Sequence, residues 1–391
     1  MVDQKSSATV DFSALDLIRG AAATYVVINH SRGYLFIGGE KLHSLMPAGS
    51  WPRLEALELA ALQLTRVGTE IVILFFVLSG FCIAHSLKHT ESLKGFYLRR
   101  LVRLYPPYLG GLLWAMLVFL LIKNIRPDFF SGVYDFKVFK DFAISQNFLS
   151  WKNILKNIFY MPDGVFIFQY WSLTYEIIFY ALAPLFLLHL RSYYVFSLIT
   201  YLFGWWIDGS SPGKSSYITK FWLTYNIYFA VGILAYSRWA WLKKKILMKR
   251  MAFFLVSMAL FLSMISINFY RGGFNKYSAI FATILCLVLM VNFQTHSLKG
   301  ALWKFLGAAS YSIYVSHVAS ILLLLTLLYQ FTPLVPPYIT SKLIWLLGPV
   351  FALSFAWIFY QLFEAPTKSI LKQLRTAERE SMVPHDSLSQ I

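Results

Sequence analysis

The chain has 391 residues, 58% hydrophobic and only 14% charged, with a formal net charge of +17. That balance excludes an ordinary soluble globular protein. The basic excess is divided among the flanks of apolar segments, which speaks against nucleic-acid binding.

Ten stretches of about 18–24 apolar residues are each long enough to cross a bilayer. They fall near 13–36, 68–87, 105–123, 171–189, 192–209, 218–237, 250–269, 277–295, 310–330 and 341–362. The expected architecture is an all-α polytopic membrane protein, a bundle of about ten transmembrane helices. One membrane domain covers 1–370, and a polar, partly disordered tail covers 371–391. Asp16 and Arg19 interrupt the first stretch, which therefore reads as a retained span and not a cleaved signal. Segments 88–104 and 238–250 are rich in Lys and Arg. Both lie on the side reached after an even number of spans, so the positive-inside rule places them and both termini in the cytoplasm.

Arg19 and His30 stand eleven residues apart in the first span. Eleven helical steps return to within roughly 20° of one face, about 16 Å along the axis. An arginine in hydrocarbon costs about 2.5–3.5 kcal/mol on insertion scales, so it is expected to face a cavity or a partner. Asp16 lies one turn before Arg19 and can neutralise it. His30 falls in the outer half and suits a general base, since neutral imidazole accepts a proton near physiological pH. Asn29 and Ser31 beside it are candidates for stabilising an oxyanion.

In the second span ILFFVLSGFCI places Ser79 and Gly80 as small residues that let helices approach closely. Cys82 and Cys286 read as packing residues, with no metal set or disulfide framework around them. FYLRRLVRLYPPYL crowds Arg99, Arg100 and Arg103 into one turn before Pro106, where a bend is expected. Arginine forks bind phosphate at two points, so this cluster suits a phosphorylated cytosolic ligand, with lipid headgroups as the alternative. The long outer segment 124–170 mixes aromatics with lysines and reads as interfacial helices or the cover of a binding site.

WSLTYE opens the fourth span and places Glu176 in the outer half, as a partner of His30, of acceptor hydroxyls or of an arginine. SYSIYVSH puts Ser310 and Tyr311 near the cytoplasmic face and His317 deeper, where a packing role stands beside a supporting one. Glu364 and Pro366 in FEAP are expected to end the last helix, as a cap or a cytoplasmic salt-bridge partner.

Taken in order, Arg-x10-His, FFVLSGF, RRLVRLYPPY, WSLTYE, SYSIYVSH and FEAP resemble the acyltransferase-3 family of integral-membrane O-acyltransferases, over residues 11–368. Glu176 is followed by Ile177 where the family often has a second acid. The resemblance implies transfer of an acyl group, usually acetyl, from cytosolic acyl-CoA to a hydroxyl of an extracytoplasmic sugar or surface glycan. It implies a bacterial inner-membrane setting, acyl-CoA as donor, a glycan or lipid-linked saccharide as acceptor, and no permanently bound cofactor or metal. By carry-over, Arg19 and His30 form the essential pair, and Arg100 and Arg103 belong to the family's arginine motif; Glu176 joins the catalytic candidates from its place in the span. Arg99, Arg100, Arg103, Ser310 and Tyr311 would meet acyl-CoA, supported by Asp16, Asn29, Ser79 and His317. An acyl-histidine intermediate competes with direct transfer. Two other readings stand: a glycan or lipid transporter, and an O-acyltransferase for a small molecule such as an antibiotic.

Overall fold

The computed structural model describes residues 10–36, 53–90, 92–134, 136–208, 216–293, 300–330 and 343–380. Within them the chain is helical, without a strand. The ten principal helices are α1 (Phe12–Leu35), α2 (Gly68–Lys88), α3 (Leu93–Ile125), α4 (Trp171–Leu188), α5 (Leu190–Asp208), α6 (Asn226–Ser237), α7 (Arg250–Tyr270), α8 (Lys276–Asn292), α9 (Ser310–Gln330) and α10 (Leu347–Phe359). Among the described residues, seven helical runs are long and apolar enough to cross a membrane. The other three expected spans are α1, α5 and α8, of 24, 19 and 17 residues. The first carries Asp16, Arg19 and Arg32 and so falls short in apolarity rather than length.

Helices α2 and α9 form the centre, with 83% and 78% of their most apolar windows buried, against 17% for the peripheral α7. Helix α9 packs on α1, α3 and α10, and α2 on α1, α4, α6 and α8. Phe12 meets His85 at 4.6 Å between rings, so α1 starts where α2 ends. That end also carries the 88–104 and 238–250 basic segments and is called the basic end below.

The expectation for Ser79 and Gly80 holds in detail for the glycine. A Cβ on Gly80 would lie 2.1 Å from the Phe229 carbonyl oxygen, and one on Gly232 would lie 2.1 Å from that of Val77. The α2–α6 crossing therefore brings backbone against backbone. We expect Gly232→Ala to cost about 1–3 kcal/mol by overpacking. Thermal unfolding in detergent checks this, and an unchanged midpoint refutes the close crossing.

Pro106 and Pro107 lie inside α3, which runs as one helix from Leu93 to Ile125; each removes an intrahelical N–H bond and favours a bend. One expectation about a helix end is corrected. FEAP does not end the last helix. Residues Tyr360–Glu364 form a π-helical turn that continues directly into the helix Ala365–Glu380. Glu364 instead accepts the Ser312 N–H (3.0 Å) and hydroxyl (2.6 Å), satisfying a donor in the first turn of α9. The tail expected from 371 is thus helical through 380, and residues 381–391 lie outside the described residues.

Segment 124–170 folds as short helices, among them the amphipathic Lys137–Ile144 and Trp151–Ile158. Phe129, Phe139, Phe142, Phe148 and Phe166 form its buried interior. Arg126 forks onto Asp128 at 2.9 and 2.7 Å, and this bond holds the Asp128 carboxyl below the usual carboxylate range. Gly164 has φ 109°, a value that favours glycine. Tyr160 takes the left-handed φ of 58°, stacked 3.9 Å from Tyr108 of α3. Its carbonyl accepts the Thr174 hydroxyl at 2.6 Å.

Candidate active site

A cavity of about 670 Å³, its open mouth included, lies between α1, α2, α3, α4 and α9 toward the basic end. It is lined by Arg19, Phe75, Phe76, Ser79, Cys82, Ile83, Arg100, Arg103, Leu104, Ser172, Leu173, Glu176, Tyr180, Ser310, Tyr311 and Tyr314. Seven of the residues singled out from sequence therefore share one wall. The reason is helical register. Arg100 and Arg103 lie three apart on one face of α3, and Arg19 faces them from α1.

The cations are only partly answered. Arg19 approaches Asp16 at 3.5 Å, with Asp16 half-exposed, and reaches toward the Leu78 carbonyl at 3.5 Å. Arg100 is flanked by the rings of Phe96 (5.6 Å) and Tyr180 (5.7 Å). Its Nε is buried and has no hydrogen-bond partner among the described residues. Arg103 stands exposed at the mouth. Three guanidiniums around the one carboxylate lining the cavity make a site for an anion.

Of the three settings expected for Glu176, it takes the one among arginines: it lines this cavity with Arg19, Arg100 and Arg103, and its hydrogen bonds do not go to His30. It is the sixth residue of α4, but that helix continues a 3₁₀ segment begun at Val165, which sets Glu176 midway along the 24-residue run Val165–Leu188. Its Oε1 accepts the Ser79 hydroxyl at 2.6 Å and the Tyr180 hydroxyl. Tyr180 was missed in the sequence, although it lies at i+4 from Glu176, where a side-chain partner is expected.

Arg99 is turned away from the cavity. One residue from Arg100 is about 100° around the helix, and the Arg99 guanidinium donates to Thr90 Oγ1 at 2.8 Å. Asn29 and Ser31 likewise do not line this cavity. The Asn29 amide donates to the Thr65 carbonyl (2.7 Å) and packs on Gly68, while the Ser31 hydroxyl donates to the Trp345 carbonyl (2.5 Å). Both tie α1 to neighbouring chain and are occupied by that task. Cys286 is buried; Cys82 lines the cavity beside Arg19. No cluster of His, Cys, Asp or Glu suited to a metal exists among the described residues.

His30 meets His317 instead of Glu176. His30 Nδ1 lies 2.8 Å from His317 Nε2, with the rings stacked at 5.1 Å. His317 Nδ1 lies 2.8 and 3.1 Å from the carbonyl oxygens of Tyr314 and Ile313 one turn back in α9. The pair stands between two spaces. On one side, Tyr314 of the cavity wall sits 5.8 Å from His317 and 5.6 Å from Phe75. On the other, His30 sits 6.3 Å from Tyr34 and 6.2 Å from Phe168. Those two residues line a second space of about 1520 Å³, open solvent included, toward the opposite end. Its other walls are aromatic and charged, with Trp171, Tyr175, Tyr217, Tyr225, Lys137, Lys220, Asp141 and Asp163. The folded 124–170 segment supplies several of them, in line with the expectation that it covers a binding space.

Comparison with known proteins bears on this arrangement. A family model described as an acyltransferase domain matches residues 12–361. "Acyltransferase MdmB" of Streptomyces mycarofaciens is 33% identical over 127 residues, 32% of this chain and 30% of that relative. The chain thus matches less than a third of that protein's length. No solved structure matches. With the family model spanning nearly all of the helical bundle, the chain belongs to the acyltransferase-3 family of membrane acyltransferases.

Proposed function

We propose that the protein transfers an acyl group, most simply acetyl, from cytosolic acyl-CoA to a hydroxyl of an extracytoplasmic saccharide, with His30 as general base. The observation that carries this reading is a histidine pair standing one aromatic ring away from each of two spaces, the cationic one at the basic end and the aromatic one at the other. On this reading the basic end is cytoplasmic, both termini lie there and all ten helices cross a bacterial inner membrane.

The geometry supports a set of roles. Arg100 and Arg103 hold the donor's phosphates, and Arg19, deeper along the same wall, holds polar atoms of its arm. Ser310 and Tyr311 border the entry, the Tyr311 hydroxyl donating to the Leu104 carbonyl at 3.2 Å. Glu176, bonded by Ser79 and Tyr180, offsets the arginine charge. The thioester passes Phe75 and Tyr314 to reach His30. An acceptor ring stacks on the aromatic lining of the outer space, as apolar sugar faces do on rings.

The ring nitrogen of His30 turned away from His317 takes the acceptor hydroxyl proton as the oxygen attacks the thioester carbonyl. The tetrahedral intermediate collapses, the carbon–sulfur bond breaks, and the thiolate leaves with the proton returned from His30. The products are an ester and the free CoA thiol.

Membrane vesicles of defined orientation test the reading. Inside-out vesicles given radiolabelled acetyl-CoA in the bath and a saccharide acceptor in the lumen are expected to accumulate labelled ester inside. Right-side-out vesicles with bath donor are expected to give none. Equal labelling from both orientations overturns the assigned topology, and absence of transfer with a folded protein overturns the activity.

A further inference from the structure

His317 stands where α9 has no need of a polar residue for packing alone. It is fully buried, 287 residues from the histidine it touches, and both of its ring nitrogens are engaged. The hydrogen-bond partners decide where its proton sits. Nδ1 faces two carbonyl oxygens, which only accept, so Nδ1 carries the hydrogen. A neutral imidazole has one N–H, and its Nε2 is then a lone pair aimed at His30 Nδ1, 2.8 Å away. His30 Nδ1 must donate across that gap, which leaves His30 Nε2 as the unprotonated nitrogen.

We propose that His317 is a positioning residue that fixes the tautomer of His30 and shares the charge of its imidazolium. The proposal rests on the acyl-transfer reading of the same site. It assigns to an uncharged imidazole the task that a buried carboxylate performs in a Ser-His-Asp triad. The difference suits the surroundings. A carboxylate at this depth would add a charge to hydrocarbon in every resting enzyme, whereas His317 accepts a hydrogen bond without one. When the hydroxyl proton arrives on His30 Nε2, the Nδ1–H bond to His317 Nε2 becomes charge-assisted and strengthens. No proton needs to move onto His317, whose other nitrogen is closed by the backbone. The proton on Nε2 stays available for the departing thiolate.

The test uses the full-length protein with His317→Leu, His317→Gln, His30→Ala and the double variant His30→Ala/His317→Leu. Glutamine keeps an acceptor oxygen for His30 Nδ1–H; leucine does not. We expect His317→Leu to lower kcat by about 10²- to 10⁴-fold with the donor KM unchanged. His317→Gln should recover most of that loss, and the double variant should be no worse than His30→Ala. Nitrogen-15 spectra of histidine-labelled protein give a reading independent of turnover. The expected pattern has His30 protonated at Nδ1 alone, shifting toward a mixture of tautomers in His317→Leu. A wild-type spectrum with His30 protonated at Nε2 overturns the proposal, as does wild-type kcat in His317→Leu or no recovery in His317→Gln. Failure of wild-type protein to transfer acyl groups counts against the underlying activity and leaves the spectral result to decide the tautomer.

Discussion

His30→Ala is expected to abolish measurable acyl transfer, a loss of at least 10²- to 10⁴-fold, while leaving the donor bound. The separation follows from geometry. His30 is absent from the lining of the arginine cavity and reaches it only through His317 and Tyr314. Donor affinity, measured by equilibrium binding of acyl-CoA, should therefore stay within about twofold of wild type. Asn29→Ala, one residue away, should leave kcat near normal and instead loosen the contact with the Thr65 carbonyl. Full activity in His30→Ala would remove the base from the mechanism.

Arg100→Ala is expected to raise the donor KM about ten- to hundredfold, from loss of a charge-assisted bond of about 1.5–3 kcal/mol. Arg100 is held between Phe96 and Tyr180 with a buried, unmatched Nε, so its fork is in place before the ligand arrives. Lysine is a poor replacement there, lacking the planar fork and its stacking. Arg103→Ala should cost less, being exposed at the mouth. Arg99→Ala should leave the donor KM unchanged, because its guanidinium is engaged with Thr90 outside the cavity. Steady-state kinetics on the three variants checks the order. A larger effect at Arg99 than at Arg100 would place the donor elsewhere.

Much of the cationic cavity was legible because helical register carries the information. Arg19 was placed on a polar face by its spacing to His30, and Gly80 at a close crossing by its size. Arg99, Arg100 and Arg103 were grouped in one turn, and only the fold separates Arg99 from the other two. Depth was harder. Glu176 was placed too near the outer face because the 3₁₀ segment Val165–Tyr170 extends the fourth helical run by six residues. Asn29 and Ser31 looked free for chemistry because their partners, the Thr65 and Trp345 carbonyls, belong to chain whose path depends on the finished fold. The His30–His317 contact joins opposite parts of the sequence, and no local pattern marks such a pair. The outer space had the weakest signal, since its aromatic lining comes from several short segments.

Helix α1 carries a consequence for how the chain is made. Its ionic residues leave it short of the apolarity that lets a segment enter the bilayer unaided. Its shelter comes from α2 and also from α9, α10 and the helix Ala301–Ala308, which emerge from the ribosome roughly 270–340 residues later. During synthesis Arg19 can meet α2 early, whereas His30 and the face of α1 that packs on α9, α10 and Ala301–Ala308 wait for residues from Ala301 on. A nascent chain stopped before Ala301 would leave His30 without His317 and the matching face of α1 uncovered. The first helix and the helices from Ala301 on thus have to meet before α1 is fully packed.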